Sequence, residues 1–168
     1  KARVLQNAVS RVTTGRRFLG IDLRIPVMLA PIGSVQVFEA GGGTSVARAA
    51  QSFGVIQMLS SACLPDFETV ARDCDGPKVY QFYSVGDEEQ VFDIAARAKA
   101  AGYLGFCLTV DTQVYSRRER DLLKRYIPRS GTRVDEALVR DEGPSTLQPA
   151  FSWPFIDRLK AKLEMPLI

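Results

Sequence analysis

No histidine occurs in these 168 residues, and that absence narrows the chemistry first. Histidine is the commonest general base near neutral pH and the commonest metal ligand. A reaction that begins by abstracting a proton must use another base here, or one supplied from outside this segment. Cysteine is scarce. Cys63, Cys74 and Cys107 cannot all pair, and their spacing matches no zinc pattern, so neither a disulfide framework nor a metal site is expected. No apolar run reaches the roughly 18 residues of a membrane span, and the first residues carry no secretory h-region. A cytoplasmic protein is the expectation. Charge of one sign is lacking too, the formal net charge being +3. The basic cluster of Arg117, Arg118, Arg120, Lys124, Arg125 and Arg129 is interrupted by Glu119 and Asp121 and reads as a solvated face. No nucleic-acid partner is expected.

The composition that remains, 46% hydrophobic and 24% charged, is that of one ordinary globular domain. Its rhythm is a short apolar run, a turn, an amphipathic helix and another apolar run. Pro26–Pro31, Val55–Leu59, Lys78–Tyr83 and Gly105–Val110 read as four strands, and Met165–Ile168 as the start of a fifth. The first helix follows Gly41–Gly43, with Thr44 as its expected N-cap, Val46, Ala49, Ala50 and Phe53 on one face and Gly54 at its C-terminus. A second helix runs from Pro65 to about Asp73. Asp87 and Gln90 suggest a capping box for a third, which Gly102 ends, and Ser152 caps a fourth. A polar connection, 112–151, separates the fourth strand from that last helix.

Alternating strands and helices indicate βαβ units and a parallel sheet. Two folds satisfy this, a doubly wound open sheet and a β/α barrel. The turn after the first strand carries Pro31 and Gly33 rather than G-x-G-x-x-G, so the dinucleotide fingerprint is absent. A barrel needs eight units and about 250 residues. The expectation is an α/β chain forming the N-terminal part of a parallel (β/α)8 TIM barrel, strands one to four and the start of the fifth, one partial domain over 1–168.

Barrels bind ligands at the carboxyl ends of their strands. Those ends carry Ala30-Pro31-Ile32-Gly33, Leu59-Ser60-Ser61, Gln81 with Tyr83, and Thr109 with Asp111, with Arg118 following. Residues two apart in a strand share a face. Taken singly, Ser60 and Ser61 read as caps of the next helix, Tyr83 as a half-buried residue with a wet hydroxyl, and Asp111 as a cap or turn. Gln81 and Thr109 within apolar strands are different, because a buried amide needs partners. Together these groups suit a planar heteroaromatic ligand, and the arginine suits a carboxylate.

At these residues the chain resembles the FMN-dependent 2-hydroxy acid oxidases and dehydrogenases, the family of glycolate oxidase, lactate oxidase and mandelate dehydrogenase. The matching stretches, in order, are Pro26–Gly33, Leu59–Ser61, Tyr80–Tyr83, Leu108–Thr112 and Tyr115–Asp121. The resemblance implies FMN as cofactor, with backbone around Pro31, Ile32 and Gly33 approaching its ring. It implies that Ser60, Gln81 and Thr109 hydrogen-bond the ring's polar edge. Tyr83 and Arg118 would bind a small 2-hydroxy acid, and Asp111 would orient a catalytic histidine lying beyond residue 168. Oxygen, a quinone or a cytochrome would take the electrons, and the assembly would be a homo-oligomer, a tetramer or larger. Ala62 stands where plant glycolate oxidases carry tryptophan, so no substrate preference carries over. Two alternatives stay open: a non-catalytic half-barrel that binds flavin or a partner chain, and another FMN barrel such as a type 2 isopentenyl diphosphate isomerase.

Overall fold

A computed structural model describes residues 12–84, 87–111, 119–124 and 151–168. The chain opens with a hairpin that the periodicity did not announce. Strands β1 (Arg16–Phe18) and β2 (Ile21–Leu23) pair antiparallel. They turn through Leu19 and Gly20, both at positive φ, which is the two-residue turn that matches strand twist.

The main sheet is parallel throughout. Its order is β3 (Met28–Leu29), β4 (Ile56–Ser60), β5 (Lys78–Tyr83) and β6 (Phe106–Thr109), each strand lying beside its predecessor. The first strand is shorter than its apolar run, pairing only through Met28 and Leu29. Leu167 bridges Phe106 in parallel, and Ile168 N–H donates to the Phe106 carbonyl at 2.9 Å, so a fifth strand begins as expected.

Side-chain alternation sorts the sheet into two faces. Leu59, Tyr80, Phe82, Phe106 and Leu108 point to the helices and form one cluster with Ala47, Phe67, Val70, Val91, Ala95, Phe155 and Leu159. Ile56 and Val79 point the other way and pack with Leu23 of the hairpin, with no buried helical residue in that group. Strands in sequential order with helices on one face describe the wall of a barrel, whereas a doubly wound sheet carries helices on both. The hairpin covers the inner face at the amino ends of the strands and leaves the carboxyl ends to other groups.

The helices are α1 (Gly42–Phe53), α2 (Phe67–Asp73), α3 (Glu88–Ala100), α4 (Glu119–Leu123) and α5 (Trp153–Leu163). Asp87 and Ser152 cap as expected, accepting from the N–H of Gln90 at 3.0 Å and of Phe155 at 3.3 Å. Gly54 ends α1 at φ +88°. Two expectations fail at α1. Its N-cap is Gly41, and Thr44 is buried inside the helix. Its buried stripe is Gly43, Ala47 and Ala50, while Ala49 and Phe53 are exposed. The cause is the close approach of the glycine turn to the next loop: a Cβ on Gly42 would lie 1.9 Å from the Leu64 carbonyl oxygen. That approach rotates the helix about one position. α4 lies in the connection that the sequence left without structure.

Surface ion pairs tie the helices laterally. Arg97 holds Glu68 with two bonds of 2.8 and 2.9 Å, Arg158 meets Glu88, and Lys99 meets Glu164. Exposed pairs of this kind add under about 1 kcal/mol each. Burial does the larger work. Phe155 is fully buried, stacked on Phe151 and edge-on to Phe92. Phe155→Ala should lower stability by about 3–5 kcal/mol in urea unfolding; a loss below about 1 kcal/mol would mean that α5 does not close the core.

Candidate functional site

The inner face at the carboxyl ends of β4, β5 and β6 gathers the polar residues. The ladder sets Ser60 beside Gln81 and Tyr83 beside Thr109. All four share the parity of Ile56, Val79 and Cys107, away from the helices. Gln81 is 3% exposed. Its Nε2 donates to Thr109 Oγ1 at 2.5 Å. Its Oε1 is buried and finds no hydrogen-bond partner among the described residues. An acceptor left in that state costs about 1–3 kcal/mol, so the site is built around one amide oxygen that lacks a donor.

Ser60 is equally buried, and its Oγ accepts the N–H of Ala62 at 3.2 Å. Neither serine caps the following helix. That role falls to Asp66, whose carboxylate accepts from the N–H and the hydroxyl of Thr69, both at 2.9 Å. Ser61, which the sequence offered only as a cap, accepts the N–H of Tyr83 on its hydroxyl at 3.0 Å. Tyr83 itself is half-buried.

Pro31, Ile32 and Gly33 form an exposed loop beyond β3. It is moored to the loop beyond β4, because Ser34 N–H donates to the Ala62 carbonyl at 2.8 Å and a Cβ on Gly33 would lie 3.2 Å from that of Ala62. Asp111 is exposed, two residues beyond the last residue of β6. Arg118 lies outside the described residues. The structure thus brings Ser60, Gln81, Tyr83 and Thr109 together, with Pro31–Gly33 joined to them through Ala62. Cys107 lies on the same face, and burial pushes its thiol pKa up, so it stays protonated and acts as a small core residue.

Sequence reading also missed Gln57. It is 3% exposed on the helix-facing side of β4, and its Nε2 donates to the Gly43 carbonyl at 3.1 Å. It faces away from the gathered residues, and no periodicity marks it, since a lone amide in an apolar run looks alike on either face.

Comparison with known proteins shows the family of the chain. The model of the FMN-dependent dehydrogenase family matches residues 1–168. The chain belongs to that family. A peroxisomal (S)-2-hydroxy-acid oxidase of Oryza sativa subsp. indica is 31% identical over 179 residues, covering 99% of this chain and 49% of the relative. An L-lactate dehydrogenase of Caulobacter sp. (strain K31) is 33% identical over 153 residues, covering 91% and 38%. Among solved structures, an (S)-mandelate dehydrogenase superposes with TM-score 0.79 at 27% identity, covering 95% of this chain and 49% of that one. A mandelate oxidase mutant with an FMN adduct gives 0.76 at 26%, covering 98% and 47%. The chain spans about half the length of the curated relatives it matches.

The gathered residues fit the group that names the family. The pyrimidine edge of a flavin presents one N–H between two carbonyl oxygens. Gln81 Oε1 lacks a donor, and the hydroxyls of Ser60 and Thr109 can each donate as well as accept. The same burial yields a test. In Gln81→Glu, burial of a carboxyl at this position should raise its pKa above the ordinary value of about 4.3. The folded state then holds a proton that the unfolded state has released. Stability should fall as pH rises from about 4 to 7, by up to roughly 1.4 kcal/mol per pH unit. Urea unfolding of the apo-protein at several pH values checks this, and a flat profile would mean that the position is wet.

Proposed function

We propose that the protein to which this chain belongs binds FMN on this inner face and oxidises a small 2-hydroxy acid to the 2-oxo acid. One observation carries the reading: the unpartnered amide oxygen of Gln81, between Ser60 on one strand and Thr109 on another. Those three side chains would hold the polar edge of the ring, and backbone at Pro31, Ile32 and Gly33 would line it. When bound, FMN supplies the acceptor for the two electrons that leave the substrate's α-carbon; oxygen, a quinone or a cytochrome then takes them.

Tyr83 stands two residues nearer the strand's carboxyl end than Gln81, which sets its phenol outward of the amide, where a hydroxy acid would meet the ring. Its hydroxyl would bond the substrate's carboxylate or hydroxyl, and the fork of Arg118 would take the carboxylate at two points. Asp111 would orient and charge-balance an imidazole base, which these 168 residues do not contain. The protein would act as a homo-oligomer.

Anaerobic addition of lactate, glycolate or mandelate to the full-length, flavin-loaded protein should bleach its visible flavin absorption. Bleaching by none of them would favour another FMN barrel chemistry. Tyr83→Phe should raise KM roughly tenfold, and Asp111→Asn should lower kcat by about 100-fold or more with KM little changed. Steady-state kinetics with an artificial electron acceptor separates the two effects.

A further inference from the structure

The end of β4 holds a device that the site residues themselves do not account for. In a parallel ladder, the N–H and C=O of one residue bond the residues just before and just after its partner. With Ser60 opposite Gln81, residue 61 falls opposite Phe82. Its N–H should then donate to the Gln81 carbonyl, and its carbonyl should accept from the N–H of Tyr83. The first bond is made, at 2.8 Å. For the second, β4 has already ended at Ser60, and the N–H of Tyr83 goes to the Ser61 hydroxyl at 3.0 Å. The side chain replaces a carbonyl that the turning backbone has taken out of the ladder. The next residue completes the tie: Ala62 donates to Ser60 Oγ and accepts from Ser34 beside Gly33.

We infer that Ser61 is a positioning residue, whose N–H and hydroxyl hold Gln81 and Tyr83 at a fixed offset at the point where the sheet stops holding them. Only a short side chain with an acceptor at its β position can do this. Alanine leaves the half-buried Tyr83 N–H without its partner, and threonine keeps the oxygen in place. Ser61 touches no ligand in this scheme. It acts through Tyr83, and it joins the cofactor-facing and substrate-facing residues into one rigid unit. The kinetic part of the inference rests on the function proposed above; the hydrogen-bond part does not.

The test uses Ser61→Ala and Ser61→Thr in the full-length, FMN-loaded protein. Hydrogen exchange at the Tyr83 amide should quicken about tenfold or more in the alanine variant and stay near the unmodified rate in the threonine variant. KM for the hydroxy acid should rise about tenfold in Ser61→Ala with kcat altered less than about threefold, and threonine should restore it. In a Tyr83→Phe background the same alanine substitution should change KM less than about twofold, because its effect runs through the phenol. Unchanged exchange in Ser61→Ala, failure of threonine to rescue, or an equal KM effect in the Tyr83→Phe background would each overturn the inference. Absence of turnover in the unmodified protein would count against the proposed function, and the exchange measurement would still decide the role of Ser61.

Discussion

A parallel ladder that pairs Ser60 with Gln81 and Tyr83 with Thr109 determines which side chains can meet, and the packing behind it holds that register. Slipping one strand by a single residue would turn Gln81 into the helix layer and bring Phe82 to the inner face. What forbids the slip is the cluster on the other side, where Leu59, Tyr80, Phe82, Phe106 and Leu108 are buried against Ala47, Val70, Val91, Ala95, Phe155 and Leu159. The polar face is therefore positioned by apolar contacts it never touches. Each displaced aromatic would lose on the order of 3 kcal/mol, far more than a single polar contact at the site returns.

The inner face is divided along the strand axis. At the amino ends, Ile56, Val79 and Leu23 of the hairpin make a small apolar plug. At the carboxyl ends the same rows change to Ser60, Gln81, Tyr83 and Thr109. A buried amide with one satisfied arm and one unsatisfied acceptor is a liability for folding alone, since an apolar residue of similar shape would avoid the desolvation cost. Gln57 shares that state on the helix-facing side, so what sets Gln81 apart is the company of the Ser60 and Thr109 hydroxyls on the inner face. Buried Lys78 at the opposite end of β5 shows the contrasting case: its Nζ donates to the carbonyls of Cys74 and Gly76, and burial lowers its pKa. That group gives two of its three N–H donors to backbone carbonyls at the end of the strand away from the gathered residues.

Much of the architecture was legible in the residues. The runs Lys78–Tyr83 and Gly105–Val110 are strands within a residue of their expected bounds, because apolar runs of that length with β-branched and aromatic residues have little other use. Caps at Asp87 and Ser152 were readable because an N-cap interaction spans three residues and needs no partner elsewhere. The N-terminal hairpin was not, since Arg16-Arg17-Phe18 is short, exposed and without alternation. The orientation of α1 was not either: the contact that sets it, Gly42 against Leu64, joins loops 22 residues apart.

Within the site, the sequence by itself determined parity and composition. Gln81 and Tyr83 had to share a face, the strand ends had to carry these polar groups, and the order of the short motifs pointed to an FMN family, because all of this is local or linear. Only the tertiary structure decided which groups touch. That Gln81 bonds Thr109 across 28 residues and that Ser61 reaches Tyr83 across 22 residues both depend on register and on where each strand leaves the sheet. Those are properties of packing summed over the helix layer, and a hydroxyl in the sequence carries no mark of which N–H it will accept.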